Sequence, residues 1–502
     1  MSLAMVYSRA LTGMSAPQVE VEAHLANGLP AFNIVGLPDT EVKESRDRVR
    51  AAIVQSGFDF PSKKITVNLA PADLPKDSGR FDLPIALGIL VASGQIVADK
   101  LAEYEFAGEL ALSGRLRSIR GALAMVMACG DSGRAFVLPS DNAKQAALIE
   151  QTAVFGADSL GQVAAHLNGV QYLSPAVGQM ALEDVHNLPD MCDVKGQHGA
   201  RRALEVAAAG GHNVLMIGPP GTGKSMLAQR FPSILPALNL SECLGVASIR
   251  SLVGSLHVDV LPKSRPYQAP HHSASAVALV GGGSDPRPGA VSLAHHGVLF
   301  LDELPEFDRK VLEALREPLE SGEIHISRAS RHVVFPARFQ LLAAMNPCPC
   351  GFFGHPTKAC RCSLETVQRY RNKISGPLVD RIDVIVDVPS LSEGDLLSDK
   401  RPESSASVRE RVVHAHVLQI QRQGKNNAAL SVDELQNLAK IDADAAAYLS
   451  RLMNDLNLSA RSFHRLMRVA RTCADLVGDV RVSQTHMIQA IQLRRAWSNR
   501  FS

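Results

Sequence analysis

Aromatic side chains are scarce in this 502-residue sequence: phenylalanine, tyrosine and tryptophan together make 5%, with a single tryptophan. A surface built chiefly from base-stacking rings is thereby excluded. Charge of one sign is lacking too, with a formal net charge of +2 and a sequence pI of about 8.1. A uniformly basic nucleic-acid binder sits higher, so any contact with a phosphate backbone must come from local patches. No apolar run approaches the roughly 20 residues that cross a bilayer. The opening MSLAMVYSRALTG has no basic stretch leading into a clean apolar segment, so no secretory signal is read there. The expectation is a cytoplasmic protein with no membrane partner. Internal repeats are absent as well. Cysteine is limited to 8 residues. Cys129, Cys192, Cys243 and Cys473 are scattered and read as small buried hydrophobes; the other four cluster.

What is present describes an ordinary globular chain. Hydrophobic residues make up 46% and charged residues 20%, enough apolar material for a core in each of two or three domains. Residues 1–165 alternate strand and helix patterns. GLPAFNIVGL reads as a strand, DTEVKESRDRVRAAIVQSG as a helix opened by Asp39 or Thr40 and closed by Gly57. KKITVNLAP is a β-branched strand ended by Pro71, and FDLPIALGILVASG a buried helix. Residues 166–192 lack a firm period and carry Pro175, Gly178 and Pro189, which suits a linker. Residues 193–390 form a second α/β block. Residues 391–502 are helical; in LSARSFHRLMRVARTCADLV, Leu466, Val469, Ala470 and Cys473 share one face.

The second block holds the chemistry. Gly218, Pro219, Pro220, Gly221, Thr222, Gly223, Lys224 and Ser225 fit the G-x-x-x-x-G-K-[ST] pattern, between the apolar strand NVLMI and the helix SMLAQRF. Glycines let backbone N–H groups converge on phosphate oxygens, and the helix N-terminus adds positive potential. Lys224 would reach the β- and γ-phosphates and Ser225 would ligate Mg²⁺. The stretch GVLFLDELPEFDR supplies the acids such a loop needs. Four apolar residues lead to Asp302 and Glu303 at a strand's C-terminal end, where α/β sheets bind ligands. Asp302 would hold the metal shell and Glu303 would orient and deprotonate a water.

GPPGTGKS, VLFLDE, the asparagine of LLAAMN and GPLVDRID resemble the AAA+ ATPases. More closely, GGHNVLMIGPPGTGKS, APHHSASAVALVGGG, SLAHHGVLFLDELPEF and ARFQLLAAMNPCPCG resemble the magnesium-chelatase-like ComM/YifB family, over nearly the whole chain. That resemblance implies an AAA+ P-loop core of parallel sheet flanked by helices, with a helical lid. It also implies ATP hydrolysis in a homohexamer, Asn346 as the sensor that polarises the water, and Arg381 as an arginine finger acting on the neighbouring subunit's ATP. An intramolecular ion pair of Arg381 with Asp380 or Asp383 is the alternative. Arg461 resembles the sensor arginine of the lid, with Arg465, Arg468 and Arg471 competing.

Two insertions bear on what is moved. EIHIS and HVVFP alternate as strands around SRASR, forming a hairpin before the sensor strand. In the AAA+ clade this resembles, that hairpin points into the ring's pore, and a second insertion occupies SLVGSLHVDVLPKSRPYQAPHHSASAVALVGGG. Arg328, Arg331, Lys263 and Arg265, with His271 and His272, become candidates to touch DNA; six subunits would multiply them despite the low net charge. The N-terminal block resembles the Lon-protease-like α+β domain. Its expected serine falls at Arg80 and its lysine near Leu123, and Ser78 lacks a base, so proteolysis is not expected. Family resemblance implies a helicase or branch-migration motor in natural transformation and recombination. A remodelling ATPase acting on a protein, as a chelatase subunit does, is the alternative.

NPCPCGFFGHPTKACRCS places Cys348, Cys350, Cys360 and Cys362 on one short loop. Four thiolates can surround Zn²⁺ tetrahedrally, a closed structural site rather than a catalytic one, and His355 could replace one ligand. Unligated thiols or a labile disulfide are the other readings.

Overall fold

The computed structural model describes residues 2–36, 40–74, 76, 78–97, 99–178, 181–182, 188–254, 260–283, 286–328, 331–392, 394–395, 401–455 and 459–494. The chain divides into two compact units. The first takes Met1–Glu183 with Cys243–Pro262 and Ser327–Phe335; the second takes Asp184–Glu242, Lys263–Ile326 and Pro336–Ser502.

The first unit is built on a mixed sheet of strands β1 (Leu3–Arg9), β2 (Gln18–Ala26), β3 (Ala31–Val35), β4 (Lys64–Ala70), β5 (Tyr104–Phe106), β6 (Ala135–Pro139) and β7 (Val154–Ala157). Their order across the sheet is β3-β4-β2-β1-β5-β6-β7. Alternation sets the faces: Val19, Val21, Ala23 and Leu25 of β2 are buried between more exposed neighbours, the period-2 pattern of a half-covered strand. Helix α1 (Thr40–Gln55) and the wholly buried helix α2 (Asp82–Ala92) follow the expected segments. Asp39, the other expected cap, lies outside the described residues. Asp82, at the start of α2, is fully buried and accepts from the Arg48 guanidinium at 2.8 Å. Burial pushes its carboxyl up to about 6, with Arg48 pulling the other way. Ser78 Oγ accepts from Arg80 Nε at 2.8 Å, and Leu123 is buried.

The second unit holds five parallel strands: β8 (Val214–Ile217), β9 (Tyr267–Gln268), β10 (Val298–Leu301), β13 (Gln340–Met345) and β14 (Val384–Asp387). A hairpin of β11 (Glu323–Arg328) and β12 (Arg331–Pro336) intervenes in the chain between β10 and β13. The strand order is β9-β10-β13-β8-β14, and β8 pairs with β13 on one side (Val214↔Leu342) and β14 on the other (Val214↔Val384). The order reverses at β8, so the crevice at its C-terminal end is the expected ligand site of an open parallel sheet. Every residue of β8 and β10 is buried, which explains their uninterrupted apolar runs. Helix α3 (Lys224–Arg230) leaves the loop after β8, and the short helix α4 (Arg309–Ala314) follows β10 in the chain. C-terminal helices pack into the same core, including α6 (Ser405–Gln423) and α7 (Ala460–Asp475). Leu466, Val469, Ala470 and Cys473 are buried together as the periodicity predicts. On α7's other flank, buried Arg471 donates to Asp475 at 2.8 Å and to the Val480 carbonyl at 2.8 Å.

Candidate active site

The loop after β8 is shaped by glycine where no other residue fits. A Cβ on Gly218 would lie 2.1 Å from the Val388 carbonyl oxygen. Gly221 and Gly223 have φ of +78° and +89°, the left-handed region that side chains disfavour. Thr222 Oγ1 donates to the Pro219 carbonyl at 3.0 Å and closes the turn. Lys224 opens α3 and folds back over the loop, its Nζ donating to the carbonyls of Gly218 and Pro219, both at 2.8 Å, and to Asn346 Oδ1 at 3.2 Å. Burial lowers its pKa, with Asp302 and Glu303 opposing. An anion offered to this loop would replace those carbonyls as the ammonium's partner.

Asp302 and Glu303 leave the end of β10 as the apolar run implies. Ser225 Oγ donates to Asp302 Oδ2 at 2.6 Å, so the two expected Mg²⁺ ligands already touch. The second carboxylate oxygen of Asp302 accepts from the Glu303 N–H at 2.9 Å. Glu303 itself sits at φ 52°, a left-handed backbone that turns its carboxylate outward, where it is half exposed. A strained non-glycine residue at a strand exit suits a chemical role. Asn346 follows β13 at the neighbouring strand end, and the Gly218 N–H donates to the Met345 carbonyl at 3.2 Å. Lysine, hydroxyl, two acids and amide therefore converge on one crevice.

Other expected residues sit differently. Arg381 is buried, and its guanidinium pairs with Glu320 and the Pro377 carbonyl rather than with Asp380 or Asp383. Asp383 instead takes His212 at 3.4 Å and Arg465 at 3.3 Å. Arg465 and Arg471 are thus engaged in packing, whereas Arg461 is exposed near the start of α7. Arg265 donates to the carbonyls of Pro236 and His296, each at 2.7 Å, and pairs with Glu242 at 3.2 Å, so within the chain it holds loops together. His272 lies 3.6 Å from Glu303. Its neighbour His271 is exposed, and Lys263 is half-buried. Arg328 and Arg331 flank the hairpin turn; their side chains lie outside the described residues.

The four clustered cysteines meet. Their sulfurs all lie within 4.8 Å of one another, with Cys348–Cys350 at 3.3 Å, Cys350–Cys360 at 3.5 Å and Cys348–Cys360 at 3.7 Å. Zn–S bonds of about 2.3 Å in a tetrahedron put sulfurs roughly 3.8 Å apart, so the donor set fits that ion with small adjustment. Backbone N–H groups of Phe352 and Arg361 pull the Cys350 thiol down to about 6. His355 is not among the donors: its Nε2 meets Ser390 Oγ at 2.9 Å and its Nδ1 accepts from the N–H groups of Thr357 and Lys358.

A parallel sheet with this loop, these paired acids and a polar residue on the adjacent strand defines an AAA+ ATPase domain. Family profiles agree. "Magnesium chelatase, subunit ChlI" matches residues 190–396, "Subunit ChlI of Mg-chelatase" matches 21–142, and "Magnesium chelatase, subunit ChlI C-terminal" matches 402–494. The chain is 48% identical over 500 residues to competence protein ComM of Haemophilus influenzae, covering 98% of each. It is 48% identical over 495 residues to the uncharacterized protein YifB of Escherichia coli, covering 98% of this chain and 97% of the other. A more distant likeness, 27% identity over 226 residues, links 44% of the chain to 24% of DNA helicase MCM8 of Bos taurus. The chain belongs to the ComM/YifB family of magnesium-chelatase-like AAA+ proteins. Among the described residues no helix is long and apolar enough to cross a membrane.

Proposed function

We propose that the chain is an ATP-driven DNA motor, working as a closed ring of six copies, that displaces strands and moves the branch point of joint molecules during transformation and recombination. The observation that carries this reading is the hairpin β11–β12, inserted in the chain between the strand that leads into Asp302 and Glu303 and the strand that leads into Asn346. That hairpin carries Arg328 and Arg331 at the two strand ends that flank its turn. The likeness to a DNA helicase and to a protein named for competence supports the same reading.

Lys224 would steady the β- and γ-phosphates while Ser225 and Asp302 hold Mg²⁺, which when bound neutralises charge on the phosphate oxygens. Glu303 would take the proton of a water polarised by Asn346. Arg381 would serve the neighbouring copy's pocket after leaving Glu320, and Arg461 would report the state of the phosphates to the lid. Lys263, His271, Arg328 and Arg331 remain candidates for phosphate-backbone contact. The four cysteines would hold structural Zn²⁺. Residues 1–165 would serve as a non-proteolytic collar, joined by 166–192 to a core of 193–390 and a lid of 391–502.

A protein-remodelling role is the second reading, favoured by the match to a chelatase subunit. Strand displacement on forks and four-way junctions separates the two. The motor reading predicts ATP-dependent displacement that Lys224→Ala abolishes; failure on every branched substrate would favour remodelling.

A further inference from the structure

The four-cysteine loop does not stand apart from the nucleotide crevice. Gly351 has φ +83°, and a Cβ added there would lie 2.6 Å from Pro220 Cδ and 3.1 Å from its Cγ. The loop's backbone therefore rests directly against the second proline of the phosphate-binding turn. That backbone is wrapped on the metal-ligating end: the Gly351 N–H donates to the Cys348 carbonyl at 2.9 Å and the Phe353 N–H to Cys348 Sγ at 3.3 Å. Cys348 itself follows Asn346, the residue that receives Lys224, by two positions. The loop's far side is fixed as well. His355 meets Ser390, and the Arg371 guanidinium lies 5.5 Å from the Phe353 ring centroid, on helix α5 (Leu364–Arg371). A short loop held at both flanks transmits its internal order to the proline it touches.

We propose that the four-cysteine site takes a tetrahedral divalent cation of the zinc class and that its occupancy is coupled to nucleotide binding, through the contact of Gly351 with Pro220. This rests on the reading of the P-loop crevice as an ATP site. The sulfur cluster closes the loop, the closed loop seats Pro220, and the seated turn presents its N–H groups to phosphate. Coupling of this kind is reciprocal. If metal raises nucleotide affinity by some factor, nucleotide raises metal affinity by the same factor, and about tenfold is ordinary for such linkage.

The test uses the full chain with Mg²⁺ in excess and a fluorescent, non-hydrolysable ATP analogue. Elemental analysis first establishes the metal content of the purified protein. Analogue affinity is then measured before and after a zinc-selective chelator, and again after Zn²⁺ is restored. The expected result is one equivalent of metal, a loss of about tenfold in affinity on stripping, and recovery on reloading. In the converse experiment the analogue slows transfer of the metal to a chromogenic chelator by a similar factor. Gly351→Ala keeps all four sulfurs and should retain the metal while weakening the analogue, because its new methyl displaces Pro220. Protein that never holds metal overturns the site. Metal present with equal analogue affinity in the loaded and stripped states overturns the coupling. If the loaded chain binds no analogue at all, the ATP reading itself falls and the coupling with it. If stripping unfolds the chain, Gly351→Ala decides: metal retained with unchanged analogue affinity refutes the proposal.

Discussion

Arg381 is the residue whose substitution distinguishes a ring from a lone chain. Within one chain its guanidinium is 8% exposed and held by Glu320, whose carboxylate is 60% exposed. A pair open to water on one side contributes at most about 1 kcal/mol. Arg381→Ala should therefore shift folding stability little. A finger that stabilises the transferring phosphoryl group in a neighbour is worth a factor of roughly 10³–10⁵ in rate, about 4–7 kcal/mol at the transition state. The two roles differ enough to be separated by measurement. Arg381→Ala should melt within a few degrees of wild type, bind the ATP analogue normally and lose ATP turnover by at least about 10³-fold. Mixing settles where the finger acts. Lys224→Ala subunits lack a working pocket but carry the finger; Arg381→Ala subunits have the reverse. Combined in equal amounts, about a quarter of their head-to-tail interfaces join an intact pocket to an intact finger, so turnover should reappear in the mixture. Glu320→Gln, which loosens the restraint and keeps the arginine, should preserve turnover. Arg381→Ala activity within about tenfold of wild type, or no recovery on mixing, would refute action on a neighbour.

Other substitutions probe the same crevice. Glu303→Gln should bind ATP and lose turnover by about 10²–10⁴-fold, as followed by phosphate release; full activity would remove it as the base. Gly218→Ala places a methyl 2.1 Å from the Val388 carbonyl oxygen. Relief requires a shift on the order of 1 Å in the turn, and single-turnover kinetics should show a loss of about 10²-fold. His272→Ala should alter kcat while DNA affinity stays at the wild-type value; weaker DNA binding with unchanged kcat would return His272 to the DNA surface. Acid should destabilise the core through His295, which burial holds at about 3, against about 6.5 when unfolded. The unfolded chain binds more protons between those values. The contribution is thus complete above about pH 6.5 and is lost on acidification at about 1.4 kcal/mol per pH unit. Urea titrations across pH 4–7 (roughly the range where the folded state should persist) read that slope, and a flatter slope is expected for His295→Gln.

Much of this site was legible in the sequence because phosphate binding demands contiguous residues. A strand, a glycine turn, a lysine and a hydroxyl must follow one another, so Gly218 to Ser225 announce themselves. Asp302 and Glu303 are found by the apolar run that delivers them to a strand end. What could not be read are partnerships between distant segments. Arg265 looks like a loop cation in sequence, and only the fold brings Glu242 and the carbonyls of Pro236 and His296 around it. His272 lies within a polar insertion, and its approach to Glu303 depends on β9 pairing with β10. Glu320 was no candidate partner for Arg381, being 61 positions away, while Asp383, two positions on, is drawn off by His212 and Arg465. His355 carries a ligating side chain within the cysteine loop, yet Ser390 and two backbone N–H groups occupy its nitrogens. Spacing identifies the four sulfurs; it says nothing about Gly351 lying on Pro220.

The most direct measurement is the steady-state ATP turnover of the wild-type chain as a four-way DNA junction is titrated in at fixed salt. A DNA motor requires turnover to rise with junction concentration to a plateau, with a midpoint that moves to higher DNA as salt is raised. A rate that stays flat at every DNA concentration, in protein that binds ATP and assembles, would contradict it.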